Sequence, residues 1–363
     1  MSDWETLGIA LKLIGYTGLH PLKVSKLLFI FNLAMLSCIT VLVITNMLVN
    51  FHFFQLEASS YVYYVWIKFV AISLLKRTPL RKMLSMINKF KPNDFSSEEN
   101  ETYRTYIRRL KIYAAYLIVF CSFFVVGSSL TKDIPTVFDP YLPKGVPRRV
   151  LYFSELYVVV SASFSISGNG ILATTLLLSV AQQFKLLNNK MKTFDLRQMQ
   201  MEDTRQMCKK RLKEIITYHI FLLKCVKLLN EIYSLPLFLQ LGGDIYLLSV
   251  NIYGISSPAS TRMDLFRSAA IAVEISVSFI FLFGYPSQLL MEMAEEFGNS
   301  IYCHCDWYIP NIVPVRKDLL FMIARSQKSL RITAGGLVNV NNATVLLLLK
   351  TAYSFYTYLQ TIS

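Results

Sequence analysis

The sequence predicts an all-α membrane protein of seven transmembrane helices with a cytosolic helical platform. Three observations predict it: an apolar composition, seven long apolar stretches, and a one-sided distribution of basic residues between them. Of 363 residues, 54% are hydrophobic and 17% charged, which is too apolar for a water-soluble chain of this size. The net charge of +14 would fit nucleic acid, but it sits in segments between apolar stretches, so no nucleic-acid partner is expected and membrane lipid is.

Crossing roughly 30 Å of hydrocarbon takes about 20 helical residues. The stretches that qualify lie near 27–49, 58–75, 113–131, 152–183, 226–254, 268–290 and 337–361. The first 26 residues are mixed polar, and the run after them is long enough to span, so no cleavable signal peptide is read there. Lys and Arg number 28 in the N-terminal segment and the segments after spans two, four and six, against 6 in those after spans one, three and five. Basic residues stay on the cytosolic side. That puts the N-terminus inside and the C-terminus outside, the reverse of a G-protein-coupled receptor. On this reading the sequon Asn100-Glu101-Thr102 faces the cytosol, where it would carry no glycan.

The elements divide the chain into 1–183, spans one to four with an outer-half pocket; 184–225, a cytosolic helical extension; 226–290, spans five and six; 291–336, cytosolic anchor helices; and 337–363, the last span. Span four carries Gly168-Asn169-Gly170, read as a loosened or closely packed turn. Its helical pattern continues through Leu186, Leu187 and Met191. The segment Arg316 to Arg331 is amphipathic, with Leu319, Leu320, Met322, Ile323 and Leu330 opposite Arg316, Lys317, Arg325 and Lys328. Polar groups within spans are costly and therefore informative. Lys68, Asp244, Glu274 and Lys350 are the cases, with structural pairing or snorkelling as the bland explanation.

In the last span Thr351, Ser354, Tyr358 and Thr361 recur at steps of three, four and three and share one face. Opposite them lie Leu346, Leu348, Leu349, Ala352, Tyr356 and Leu359. A helix bathed only in lipid has no reason to keep hydroxyls in register, whereas one facing water or another helix does. Aromatic and small polar residues cluster elsewhere in the outer halves of the spans. Tyr61, Tyr64, Val65 and Lys68 are candidates in span two; Phe120, Phe123, Phe124 and Gly127 in span three; Phe164, Ser165 and Tyr246 in spans four and five. Together they describe an apolar cavity with few hydrogen bonds, although an interfacial aromatic belt accounts for many of them.

Enzyme and cofactor signatures are missing. There is no phosphate loop, nucleophile elbow or zinc-protease motif. Cys303-His304-Cys305 is too closely spaced for a metal site and lacks a second ligand pair. No cofactor, metal or disulfide framework is expected.

Glu295-Glu296-Phe297, Cys305-Asp306-Trp307-Tyr308, the basic helix to Arg331, Ala334-Gly335-Gly336 and Leu349-Lys350-Thr351-Ala352-Tyr353-Ser354-Phe355 occur in an order and spacing that resembles the insect odorant receptor family. The resemblance implies a ligand-gated, non-selective cation channel in the plasma membrane of olfactory sensory neurons, in their dendritic cilia. It implies a heterotetramer of odorant-tuning subunits with a co-receptor subunit, opened by a small volatile ligand. The 42 residues from Phe184 to Cys225 are far shorter than the co-receptor's equivalent, so the chain resembles a tuning subunit. The family's gate falls on Tyr358 and Ile362, with Ser354 and Thr361 on the same pore-facing side. Tyr358 departs from the aliphatic residues usual there, and Asn169 stands where members often carry Asp. A gustatory receptor channel is the nearest alternative, and a G-protein-coupled receptor a more distant one.

Overall fold

The computed structural model describes residues 2–18, 20–23, 25–49, 77–90, 104–113, 140–195, 202–256, 262–305 and 313–362, with a few isolated positions among the remainder. The helices are α1 (Ser2–Tyr16), α2 (Lys26–Val49), α3 (Arg77–Ile87), α4 (Arg148–Lys192) and α5 (Glu202–Ser256). They continue with α6 (Arg262–Phe279), a π turn (Ile280–Gly284), α7 (Tyr285–His304), α8 (Val313–Gln327) and α9 (Ala343–Ile362). A two-stranded hairpin, β1 (Thr333–Ala334) and β2 (Val338–Asn339), precedes α9. Most of predicted spans two and three lies outside the described residues.

Among the described residues, four helices are long and apolar enough to cross a membrane: α2, α4, α5 from Arg205 to Gly254, and the continuous run from Ser268 to His304. α2 is wet by no polar face. Leu27, Ile30, Val41, Ile44 and Leu48 stand exposed along it, a surface that requires lipid or other helices.

α4 is the hub, packing against α1, α2, α5 and α7. It changes character along its length. Val150, Phe153 and Val160 are exposed apolar residues, whereas every residue from 167 to 181 is buried. A helix apolar all round is one enclosed on all sides. The register against α2 explains the change. Tyr157 Oη donates to Asn32 Oδ1 at 2.9 Å and Tyr141 N donates to Leu42 O at 3.0 Å, so the two helices run antiparallel. On that register the start of α2 is level with about Phe164, and the rest of α4 extends past it by roughly 1.5 Å per residue. The lower half of the stretch 152–183 is therefore the core of a helix cluster. Its apolarity serves protein packing.

Gly168-Asn169-Gly170 is closely packed and stays helical. A Cβ on Gly168 would lie 2.8 Å from Ile14 Cγ1, and one on Gly170 would lie 2.8 Å from Leu282 Cδ1. The two glycines admit α1 on one side and the π turn on the other. α1 docks through Leu7, Ala10 and Ile14, all buried, a role the mixed polarity of its sequence did not announce.

Two boundaries differ from the sequence reading. The amphipathic helix ends at Gln327, and Leu320 is 52% exposed; the buried face is Val315, Leu319 and Met322, a narrower stripe. The last helix begins at Ala343 and not at Leu337. Gly335 and Gly336 have φ of 63° and 74°, the paired positive values of a tight hairpin turn, and Leu337 N closes it on Ala334 O at 3.1 Å. Asn341 then caps α9 reciprocally with Thr344. Asn341 Oδ1 accepts from Thr344 N, and Thr344 Oγ1 accepts from Asn341 N, both at 3.1 Å. This satisfies N–H groups that the first helical turn leaves unpaired.

Candidate functional site

α9 and α5 run parallel. Asn230 Oδ1 accepts from Thr333 N at 2.8 Å, Gly335 N donates to Ser234 O at 2.9 Å, and Ser249 Oγ donates to Ala352 O at 3.0 Å. α9 buries Val345, Leu348 and Ala352, one face at helical spacing. On the far side Ser354, Tyr358 and Thr361 are exposed and Thr351 half-buried, so the hydroxyl stripe points away from its own bundle. Leu346 and Leu349, expected opposite the stripe, are exposed on the flank at 62% and 39%; α5 is too narrow a partner to cover that whole side. Thr351, Ser354 and Thr361 each donate their proton to a carbonyl of α9, at 2.8, 3.0 and 2.7 Å. The lone pairs remain outward, so these three groups present oxygen acceptors. Ile362 closes the helix.

Near the start of α9, the π turn joins three parts of the molecule. Pro286 lies two residues into α7 and has no N–H for the carbonyl of Leu282 four residues back. Tyr285 N bonds Ile280 O instead of Phe281 O, which is the π register. Two carbonyls are thereby released, and each finds a side chain from elsewhere. Tyr106 Oη donates to Phe281 O at 3.0 Å, and Thr174 Oγ1 donates to Leu282 O at 2.7 Å. The Tyr106 ring stacks on both Phe281 and Tyr285, centroids 5.4 and 5.3 Å away. Gly284 faces the chain leading into α9, where a Cβ would meet Asn342 Oδ1 at 3.0 Å. The turn thus touches the helical stretch 104–113, α4 and the base of α9. Pro286 was the readable signal of it within predicted span six.

Of the polar residues singled out within spans, Glu274 belongs to a cluster one turn above the π turn. Tyr113 Oη lies 3.1 Å from Glu274 Oε1, and Ser278 Oγ lies 3.0 Å from the same oxygen, so both hydroxyls can donate to the carboxylate. Asp244 is buried within α5 and Lys350 is exposed on α9.

The predicted pocket is only partly in view. Tyr61, Tyr64, Val65, Lys68, Phe120, Phe123, Phe124 and Gly127 lie outside the described residues. Phe164 packs on Tyr16 of α1 at 5.7 Å, and Ser165 is buried with Asn169 Nδ2 donating to its carbonyl at 2.9 Å. Both are level with the lysine-bearing start of α2. The register therefore carries α4 past its partner helix at about this level. Tyr246 is 37% exposed on α5.

Below the predicted spans, His219 of α5 is buried against Phe297 of α7, ring centroids 4.4 Å apart, with Phe184 of α4 at 6.3 Å. Burial, reinforced by the Arg325 charge, pulls its pKa down to about 4. It is a neutral packing element near neutral pH.

A long helical bundle with apolar outer faces and one hydroxyl-lined helix turned outward defines a multi-pass membrane receptor or channel subunit. The 7tm odorant receptor family model matches residues 49–353, and the chain belongs to that family, whose fold is that of receptors and not of enzymes. Odorant receptor 85b of Drosophila melanogaster is 22% identical over 95% of this chain and 94% of its own length. Odorant receptor 85c of the same species is 24% identical over 85% and 80%. Among solved structures, the olfactory receptor OR5 of Machilis hrabei in complex with eugenol superimposes with a TM-score of 0.74 at 13% identity, covering 99% of this chain and 97% of that one. A second structure of the same receptor superimposes at 0.73, with 11% identity, over 93% and 89%. These likenesses establish the fold.

Proposed function

We propose that this chain is an odorant-tuning subunit of a ligand-gated, non-selective cation channel, assembled with a co-receptor subunit as a heterotetramer. It sits in the dendritic plasma membrane of olfactory sensory neurons with its N-terminus cytosolic. The observation that carries the reading is the α9 hydroxyl stripe facing away from its own bundle. One helix cannot enclose a passage, so several copies or partners must contribute to it. Hydroxyl oxygens turned outward by their own helix suit a hydrated cation. Tyr358 and Ile362 form the constriction, with Thr361 beside them and Ser354 one turn below.

A small, mostly apolar volatile binds in the outer half of spans two, three, four and six, with span five close by, on Tyr61, Tyr64, Val65, Lys68, Phe120, Phe123, Phe124, Gly127, Phe164, Ser165 and Tyr246. The eugenol complex of the Machilis receptor supports that ligand class. Binding opens the passage only if the ligand prefers the open state. The helical stretch 104–113 precedes span three and holds the π turn through Tyr106, and the π turn abuts the base of α9. That chain of contacts gives a route from pocket to gate.

The test is cysteine substitution in a co-expressed assembly. A charged thiol reagent should alter odour-evoked current at Ser354, Tyr358 and Thr361 and leave Ala352, on the packed face, unreactive. Equal reactivity on both faces, or unaltered current at all four, would refute the pore assignment. Phe123→Ala should shift ligand sensitivity while sparing currents evoked by a co-receptor agonist. A gustatory channel would instead answer contact ligands, which the same recording separates.

A further inference from the structure

A cavity of about 610 Å³ opens between the end of α3 and the N-terminal half of α5, lined by Lys89, Lys210, Lys213, Glu214, Thr217, Tyr218 and Phe221. The α5 residues fall at steps of three, one, three, one and three, so they form one helix face. The face is about 16 Å long. Lys89 reaches it because Phe90, the next residue, packs edge-on against Phe221 at 6.1 Å. Tyr218 stacks on Phe221 at 5.8 Å, and its hydroxyl donates to Gln183 of α4, which holds the aromatic floor still. A second cavity, of about 200 Å³, shares Glu214 and Tyr218 and adds Lys190 and Arg211.

We propose that this cavity binds a phosphorylated polyol of the inositol polyphosphate class, as a free anion or as the head group of a lipid. The volume falls within the roughly 300–1,000 Å³ of small-ligand sites. Three lysine ammoniums on two elements surround it against one carboxylate, and the described residues show no ion pair that engages them. Compact cations of this kind answer the dense charge of phosphate monoesters. The rings of Tyr218 and Phe221 offer an apolar floor to a ring of C–H groups. Glu214 accepts hydrogen bonds from free hydroxyls, which a polyol has and a simple polyphosphate lacks. Phe221 lies five residues before the apolar stretch 226–254, so the mouth is near the membrane without lying in it. A ligand there spans α3 and α5 and therefore stabilises the arrangement in which they touch.

The experiment uses the full chain in nanodiscs and reads binding alone, so its outcome is independent of whether the assembly conducts. Labelled inositol 1,4,5-trisphosphate is titrated against discs without phosphoinositide, and discs containing phosphatidylinositol 4,5-bisphosphate are assayed for retained lipid. Saturable binding in either arm is expected, the first identifying a soluble ligand and the second a lipid head group. Lys210→Gln with Lys213→Gln should weaken it by at least about tenfold, and Lys89→Gln alone by severalfold. Lys144→Gln with Arg149→Gln, in the turn before α4 and in its first turn, should leave it intact. Myo-inositol should not compete, and citrate should compete only weakly. Thermal unfolding of each variant confirms that it is folded. Saturable binding in neither arm, binding unchanged in the lysine variants, or citrate as effective as the trisphosphate would overturn the proposal.

Discussion

At the scale of single residues, burial decides what a side chain can do. His219 is 3% exposed, and burial pulls its pKa down to about 4, well under the roughly 6.5 of a free imidazole. The unfolded chain therefore takes up a proton as pH falls through 6.5, while the folded chain stays neutral until about pH 4. Folding loses stability across that window, with no effect above it, and the total is about 3 kcal/mol. His219→Phe should abolish this segment of the pH dependence of thermal unfolding; an unchanged acid limb would show that another group causes it. Gly168 is a second case. A larger residue there must displace Ile14, including its backbone N at 3.1 Å. Gly168→Val should cost roughly 1–3 kcal/mol by overpacking, and Ile14→Ala should recover part of it in the double variant. Additive losses would mean that the two do not compete for the same space.

At the scale of elements, the informative places are where the backbone leaves the helical ladder. The π turn exists because Pro286 cannot donate, and Tyr106 and Thr174 satisfy what it releases. Thr174→Val should destabilise by about 1–3 kcal/mol, the cost of a buried carbonyl without a partner. In a Pro286→Ala background the helix can recover its own hydrogen bond, so the same substitution should cost less. A double-mutant cycle on unfolding temperature measures that coupling, and a coupling of zero would refute the link. The hairpin before α9 offers a sharper contrast. Gly335 has both a positive φ and Phe238 within 2.9 Å of a would-be Cβ, whereas Gly336 has positive φ and open space. Gly335→Val should therefore be worse than Gly336→Val: about 1–2 kcal/mol of backbone strain is common to both, and only Gly335→Val adds the clash with Phe238. Surface expression and melting temperature would rank them.

At the scale of the whole molecule, the arrangement is a set of long helices whose ends do different work. The upper lengths of α2, α4 and α6 expose apolar side chains, and the lower lengths of α4, α5 and α7 bury them in one another. An engineered sequon in 132–151 should be glycosylated, and the native Asn100 should not. The reverse pattern in intact cells would invert the topology. Much of this was legible beforehand. The apolar stretches, the charge asymmetry, the Gly335-Gly336 turn and the α9 stripe each follow from local chemistry, and local chemistry survives folding. The docking of α1 on Gly168 was not legible, because its partner is more than 150 residues away. Nor was the level of Phe164 and Ser165, which depends on where α4 pairs with α2 through Tyr157 and Asn32.

The sequence by itself determined that this protein is helical, lies in a membrane and keeps one hydroxyl face on its last helix. Only the tertiary structure decided which apolar lengths face lipid and which face protein, what satisfies the carbonyls that Pro286 releases, and that Lys89 joins Lys210 and Lys213 around one cavity. The reason is physical. Leaving water favours an apolar side chain by a similar amount whether lipid or another helix receives it, so periodicity reveals that a face is buried and not against what.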